Sequence, residues 1–144
     1  MDTFQVNDQT GEAITDESRW SRTLEDLRRV IRGEETVEAL LDRRHARRET
    51  EPVPGPAKVA VDNDLSDTHT VIEVKCPDRV GLLYLITRTL SQAGLDIGSA
   101  RIATEIDQAF DAFYVTDREG RKIEDPEAMN RIREALEEAL VTPL

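Results

Sequence analysis

The residues best placed to do chemistry are Asp78-Arg79-Val80-Gly81, followed by Leu82 and Leu83. They lie where an alternating run hands over to a helical one, so the backbone N–H groups of a helix start should face outward there. Such a start carries unpaired donors and the positive end of a dipole, which suit a carboxylate or phosphate. Most such turns are a plain connection, with Gly81 letting strand and helix approach and water or a capping side chain meeting the N–H groups. Other chemistry is harder to find. Gly98-Ser99 followed by Glu105 and Asp107 imitates a nucleotidyltransferase metal motif, but only five residues separate Ser99 from Glu105. A bulged strand and hairpin explain that run. His45 and His69 lie in ligand spacing with no other histidine, so neither a metal nor a cofactor site is readable. No G-x-S-x-G, P-loop or Cys/His pair is present. The sequence therefore predicts a chain without catalytic residues of its own.

The elements that must position the turn follow from periodicity. Thr70, Ile72, Val74 and Cys76 alternate with Glu73 and Lys75, the pattern of a half-buried strand. Pro77 ends it, having no N–H for the ladder. From Val80 onward Leu82, Leu83, Ile86, Leu90 and Ala93 share one side of a helix that Gly94 closes. Leu95 and Ile97 share one strand parity while Ala100 and Ile102 share the other, so a bulge at Gly98-Ser99 is needed to unite them. Ile106-Asp107-Gln108 reads as a hairpin turn and Phe110 to Thr116 as the returning strand. Asp125-Pro126 begins a last helix with Met129, Ile132, Leu136 and Leu140 as its stripe. Lys58 to Val61 offers a fourth strand.

An internal repeat links the two ends of the chain. Shifted by 109 positions, Asp2, Phe4, Val6, Asp8, Gly11, Ile14 and Asp16 meet Asp111, Phe113, Val115, Asp117, Gly120, Ile123 and Asp125. Each copy reads as a strand, a D-x-x-G turn and an Asp at a helix N-cap. Phe113 and Val115 are thereby expected in the core. The strand–helix–strand elements before Asp111 have no counterpart before Asp2. The expectation is a piece cut from a longer protein, with a truncated first module over residues 1–48, a linker at 49–57 and a second module at 58–144. The first copy continues into a helix from about Asp16 to Arg32 and a second from about Thr36 to Arg47. Thr3–Val6 and the stripe Trp20, Leu24, Leu27 and Ile31 lack their covering partners, which predicts a dimer or docking within the chain.

The formal net charge of −11 argues against nucleic-acid binding and against docking on anionic lipid. The basic run from Arg43 to Arg48 is read as cations at a helix C-terminus. No apolar run reaches the length of a membrane span, and the single cysteine excludes an intrachain disulfide. A cytoplasmic protein is the simple expectation. The fold expected for the second module is an α+β sandwich of the ferredoxin-like kind, with two helices on one face of an antiparallel sheet.

The run CPDRVGLLYLITRTLSQAGLDIGSARIATE followed by DAFYVTDREG resembles an ACT domain. More specifically it is similar to the C-terminal tandem ACT region of the bacterial protein-PII uridylyltransferase/uridylyl-removing family. The resemblance implies a regulatory, amino-acid-sensing role, with glutamine as effector, in a nucleotidyltransferase that controls nitrogen signalling and whose catalytic domains lie elsewhere. It carries the ligand site to Asp78, Arg79, Val80, Gly81, Leu82 and Leu83, with Ile97 on the adjacent strand. Val80 stands where that family usually has Pro, and the first module has no D-R-x-G turn of its own. The competing expectation is an ACT-type dimerisation module that binds no small molecule.

Overall fold

The structure, a computed structural model, describes residues 5–8, 10–45 and 55–141. The chain divides into two compact units, Met1–Glu49 and Thr50–Leu144. In the first, the helix α1 (Glu17–Ile31) is capped by Asp16, whose side chain accepts from the Ser18 and Arg19 amides. A shorter helix α2 (Val37–His45) follows, with Thr36 Oγ1 accepting from the Ala39 amide at 3.1 Å. Glu35, between them, ties the pair by meeting Arg29 at 3.3 Å and Arg43 at 2.6 Å.

The expected strand at Thr3–Val6 is not formed at its described end. Val6 belongs to no strand, and Asn7 and Ala13 make an isolated bridge around the turn. Among the described residues no strand lies beside it, so its backbone has no ladder to join. Thr3 and Phe4 lie outside the described residues, as do residues 46–54, which take in most of the expected linker.

The repeat survives as hydrogen bonds. Asp8 Oδ1 accepts from the Thr10 and Glu12 amides, and Asp117 Oδ1 accepts from those of Glu119 and Arg121. Gly11 and Gly120 both hold φ near +80°, the left-handed conformation such a turn needs at its fourth residue. Asp16 and Asp125 cap the helices that follow in the same way.

The second unit holds a four-stranded antiparallel sheet, β1 (Lys58–Asp62), β2 (Thr70–Pro77), β3 (Asp96–Glu105) and β4 (Gln108–Thr116), in the order β1-β2-β4-β3. Helices α3 (Leu82–Gln92) and α4 (Pro126–Val141) cover one face. This is the α+β ferredoxin-like architecture, and β1 fills the edge beside β2 as the sequence led one to expect. Ile72, Val74, Cys76, Phe113 and Val115 meet Leu82, Ile86, Leu90, Ile132, Leu136 and Leu140 in a single core. Phe113 and Val115 are fully buried there. The register between β3 and β4 shifts between Ile97 and Ser99, so the bulge brings Ile97, Ala100 and Ile102 to the same face as Val115, Phe113 and Asp111. No described helix is long and apolar enough to cross a membrane.

Candidate functional site

The turn is built from the C-terminal end of β2. Its ladder with β4 runs out at Pro77, opposite Gln108. The next amide, that of Asp78, donates instead to the Asp107 carbonyl at 2.9 Å. Arg79 offers its carbonyl to the Leu82 amide at 3.2 Å, and Gly81 turns with φ 81° and ψ 3°. That left-handed residue is the N-cap of α3. The helix therefore starts at Leu82, two residues later than the apolar period beginning at Val80 predicts. Asp78 is not the cap of this helix. The capping position holds a glycine with no side chain to give, and the first turn contains no acidic residue. A helix start with no side-chain cap and no acid in its first turn leaves its dipole available to an external anion. Leu82 is buried and anchors the helix, Val80 and Arg79 are half-buried, and Asp78 and Leu83 are exposed.

Ile97 does not join this turn. It pairs with Val115, which in turn faces Thr70, the first residue of β2. The turn lies beyond the last residue of that strand, so Ile97 stands at the opposite end of the sheet. There it lines a shallow groove of about 520 Å³ with Tyr84, Thr87, Arg88, Ser91 and Leu95.

One buried acid was missed in the sequence. Asp111 lies on the inner face of β4, with Val74 and Ile102 beside it in register, and is only 4% exposed. Its Oδ1 accepts no hydrogen bond. Burial pushes its carboxyl above the usual carboxylate range, the Ala103 amide works against this, and the charge of Asp78 adds to it. The neighbouring Cys76 thiol is likewise raised, first by burial and then by Asp111, with Arg79 opposing. The signal was available: Asp111 has the parity of Ala109, Phe113 and Val115, so a carboxylate was bound to fall among core residues.

An antiparallel sheet with two helices on one face and a glycine-capped helix start after its first central strand define a ferredoxin-like module of the ACT type. Residues 58–144 match the family described as "ACR9-like, ACT-like domain", and the chain belongs to that family. Nearly the whole chain is also similar to proteins named bifunctional uridylyltransferase/uridylyl-removing enzyme. The one from Rhodospirillum rubrum is 40% identical over 142 residues, 97% of this chain and 15% of that protein. The one from Gluconobacter oxydans is 38% identical over 139 residues, covering 94% and 15%. That from Azospirillum brasilense reaches 48% over 88 residues, covering 61% and 9%. The chain thus spans about one seventh of the length of the first two relatives. No solved structure matches it.

Proposed function

We propose that this chain is a regulatory, amino-acid-sensing ACT region of a protein-PII uridylyltransferase/uridylyl-removing enzyme, with glutamine as its effector and no catalysis of its own. In this reading residues 1–48 carry part of a first ACT module, 49–57 a linker and 58–144 a second module. The observation that carries the proposal is the uncapped start of α3 at Gly81, held beside the sheet by Asp78. The α-carboxylate of an amino acid is the anion that such a start accommodates. Titration calorimetry with glutamine against a panel of amino acids tests it. Saturable binding of glutamine, with weaker binding of the rest, is expected. No heat from any amino acid would remove the sensing role.

A second reading has its own observation. Every residue of β3 is exposed, including Ile97 and Ile102, and among the described residues the outer edge of this ten-residue strand pairs with nothing. Such an edge is a template for pairing with a second copy. Under this reading the module dimerises and binds no small molecule. Light scattering across a concentration series separates the two, since a monomer at all concentrations would exclude it. Replacing Ile102 by Lys should weaken a β3-mediated dimer while leaving the monomer folded.

A further inference from the structure

Asp111 is a buried acid whose Oδ1 has no hydrogen-bond partner among the described residues, and that is a costly arrangement. Leaving a carboxylate oxygen desolvated and unbonded forfeits the water it gave up, so such groups ordinarily pair with a cation or a donor. The described residues do not supply one to Oδ1. A metal ion would need several ligands, and among the described residues no group of three or more His, Cys, Asp or Glu side chains gathers. An ammonium group needs only one carboxylate.

The position of Asp111 gives this meaning. It lies one inward-facing step from the Cys76–Ala109 pair, at the end of the sheet where β2 leads into the Asp78–Gly81 turn. Leu82 and Ile86 of α3 belong to the core on the same face. Cys76 is the inward-facing residue of β2 between Val74, the partner of Asp111, and the turn that follows Pro77. On the outer side its neighbour is Ile102, about half exposed on an edge strand that contains no buried residue. The region thus offers a helix start wanting an anion and a carboxylate wanting a cation. A free α-amino acid carries both charges on adjoining atoms.

We propose that Asp111 is a ligand-binding residue that receives the α-ammonium of the amino acid whose carboxylate lies at the start of α3. The inference rests on the amino-acid reading of the turn and adds the cationic half of the site. It assigns the ammonium to Asp111 rather than to the solvent-exposed Asp78.

Calorimetry on the full chain tests this with two probes, L-glutamine and 4-carbamoylbutanoate, which keeps the carboxylate and amide but lacks the ammonium. The wild type should prefer glutamine by about tenfold or more, the worth of one charge-assisted hydrogen bond. Asp111→Asn should bring the two within about twofold, whereas Asp78→Asn should leave the preference standing. The Asn variant should also melt no lower than wild type, because it removes a buried unpaired charge. If wild type binds glutamine and Asp111→Asn keeps the preference, Asp111 is not the receptor, although the sensing role stands. If wild type binds neither probe, the amino-acid reading falls and this inference with it. Should the Asn variant not fold, carbon-detected titration of the Asp111 carboxyl in the wild type decides. Its midpoint, raised by burial and by the charge of Asp78 against the pull of the Ala103 amide, should drop when glutamine is added, and an unmoved midpoint would overturn the assignment.

Discussion

The Asp78 amide donates to the Asp107 carbonyl at 2.9 Å, which ties the β2–α3 turn to the tip of the β3–β4 hairpin. The hairpin reaches that position through two consecutive left-handed residues, Ile106 at φ 43° and Asp107 at φ 61°. A β-branched residue is strained there, and Ile106 gains nothing in return because it is 97% exposed. Replacing Ile106-Asp107 by Asn-Gly should therefore stabilise the chain by about 1 kcal/mol in urea unfolding, since that pair favours such a turn. The backbone bond to Asp78 should be kept, and with it amino-acid affinity.

Gly81 has the same left-handed geometry at the start of α3. An L residue there costs roughly 1–2 kcal/mol and places a side chain where the helix N–H groups open. Gly81→Val should abolish amino-acid binding in calorimetry while circular dichroism still reports the native helix content. Undiminished affinity would place the site elsewhere.

Phe113 is the largest fully buried side chain of the core. Phe113→Ala should cost about 3–5 kcal/mol in denaturant unfolding, from lost burial and the cavity left behind. Tyr114, the next residue on β4, points to the other face and is half-buried, so Tyr114→Ala should cost clearly less.

Stability should depend on pH in two opposed ways. Burial raises the Asp111 carboxyl, so its favourable contribution is present below the unfolded-state value of about 3.9 and is lost as pH rises through the folded value. Asp111→Asn should remove that loss, and its advantage over wild type in melting temperature should grow from about pH 4 towards neutrality. Asp117 is depressed, mainly by the Arg121 amide, so its contribution is present at neutral pH and is lost as pH falls. Asp117→Asn should weaken the chain at neutrality and converge with wild type in acid.

Gly98 carries the bulge of β3 for reasons of space. A Cβ built there would come within 2.6 Å of His69 Nε2, whose ring is held on its other nitrogen by Thr68 Oγ1 at 2.8 Å. Gly98→Ala should destabilise the chain, and in a His69→Ala background most of that cost should vanish. Urea unfolding of the two single variants and the double variant measures the coupling.

Strand parity, the D-x-x-G turns and the capping aspartates were legible in the sequence because each is a short-range matter of backbone geometry. Alternation alone placed Phe113 and Val115 in the core, and a break in alternation located the bulge between Ile97 and Ser99. Periodicity was less exact at the start of α3. Val80 continues the apolar pattern, yet the positive φ of Gly81 decides where helical hydrogen bonding begins. Three things needed the tertiary structure. Whether residues around Val6 form a strand depends on a neighbouring strand, and no local pattern supplies one. The separation of Ile97 from the Asp78–Leu83 turn follows from the pairing of β2, β3 and β4, which sends the two to opposite ends of one sheet. Asp111 shows the division most clearly. Its parity determined that a carboxylate would face the core, but only the tertiary structure, which buries it on β4 between Val74 of β2 and Ile102 of β3, decided that its Oδ1 would be left without a partner among the described residues.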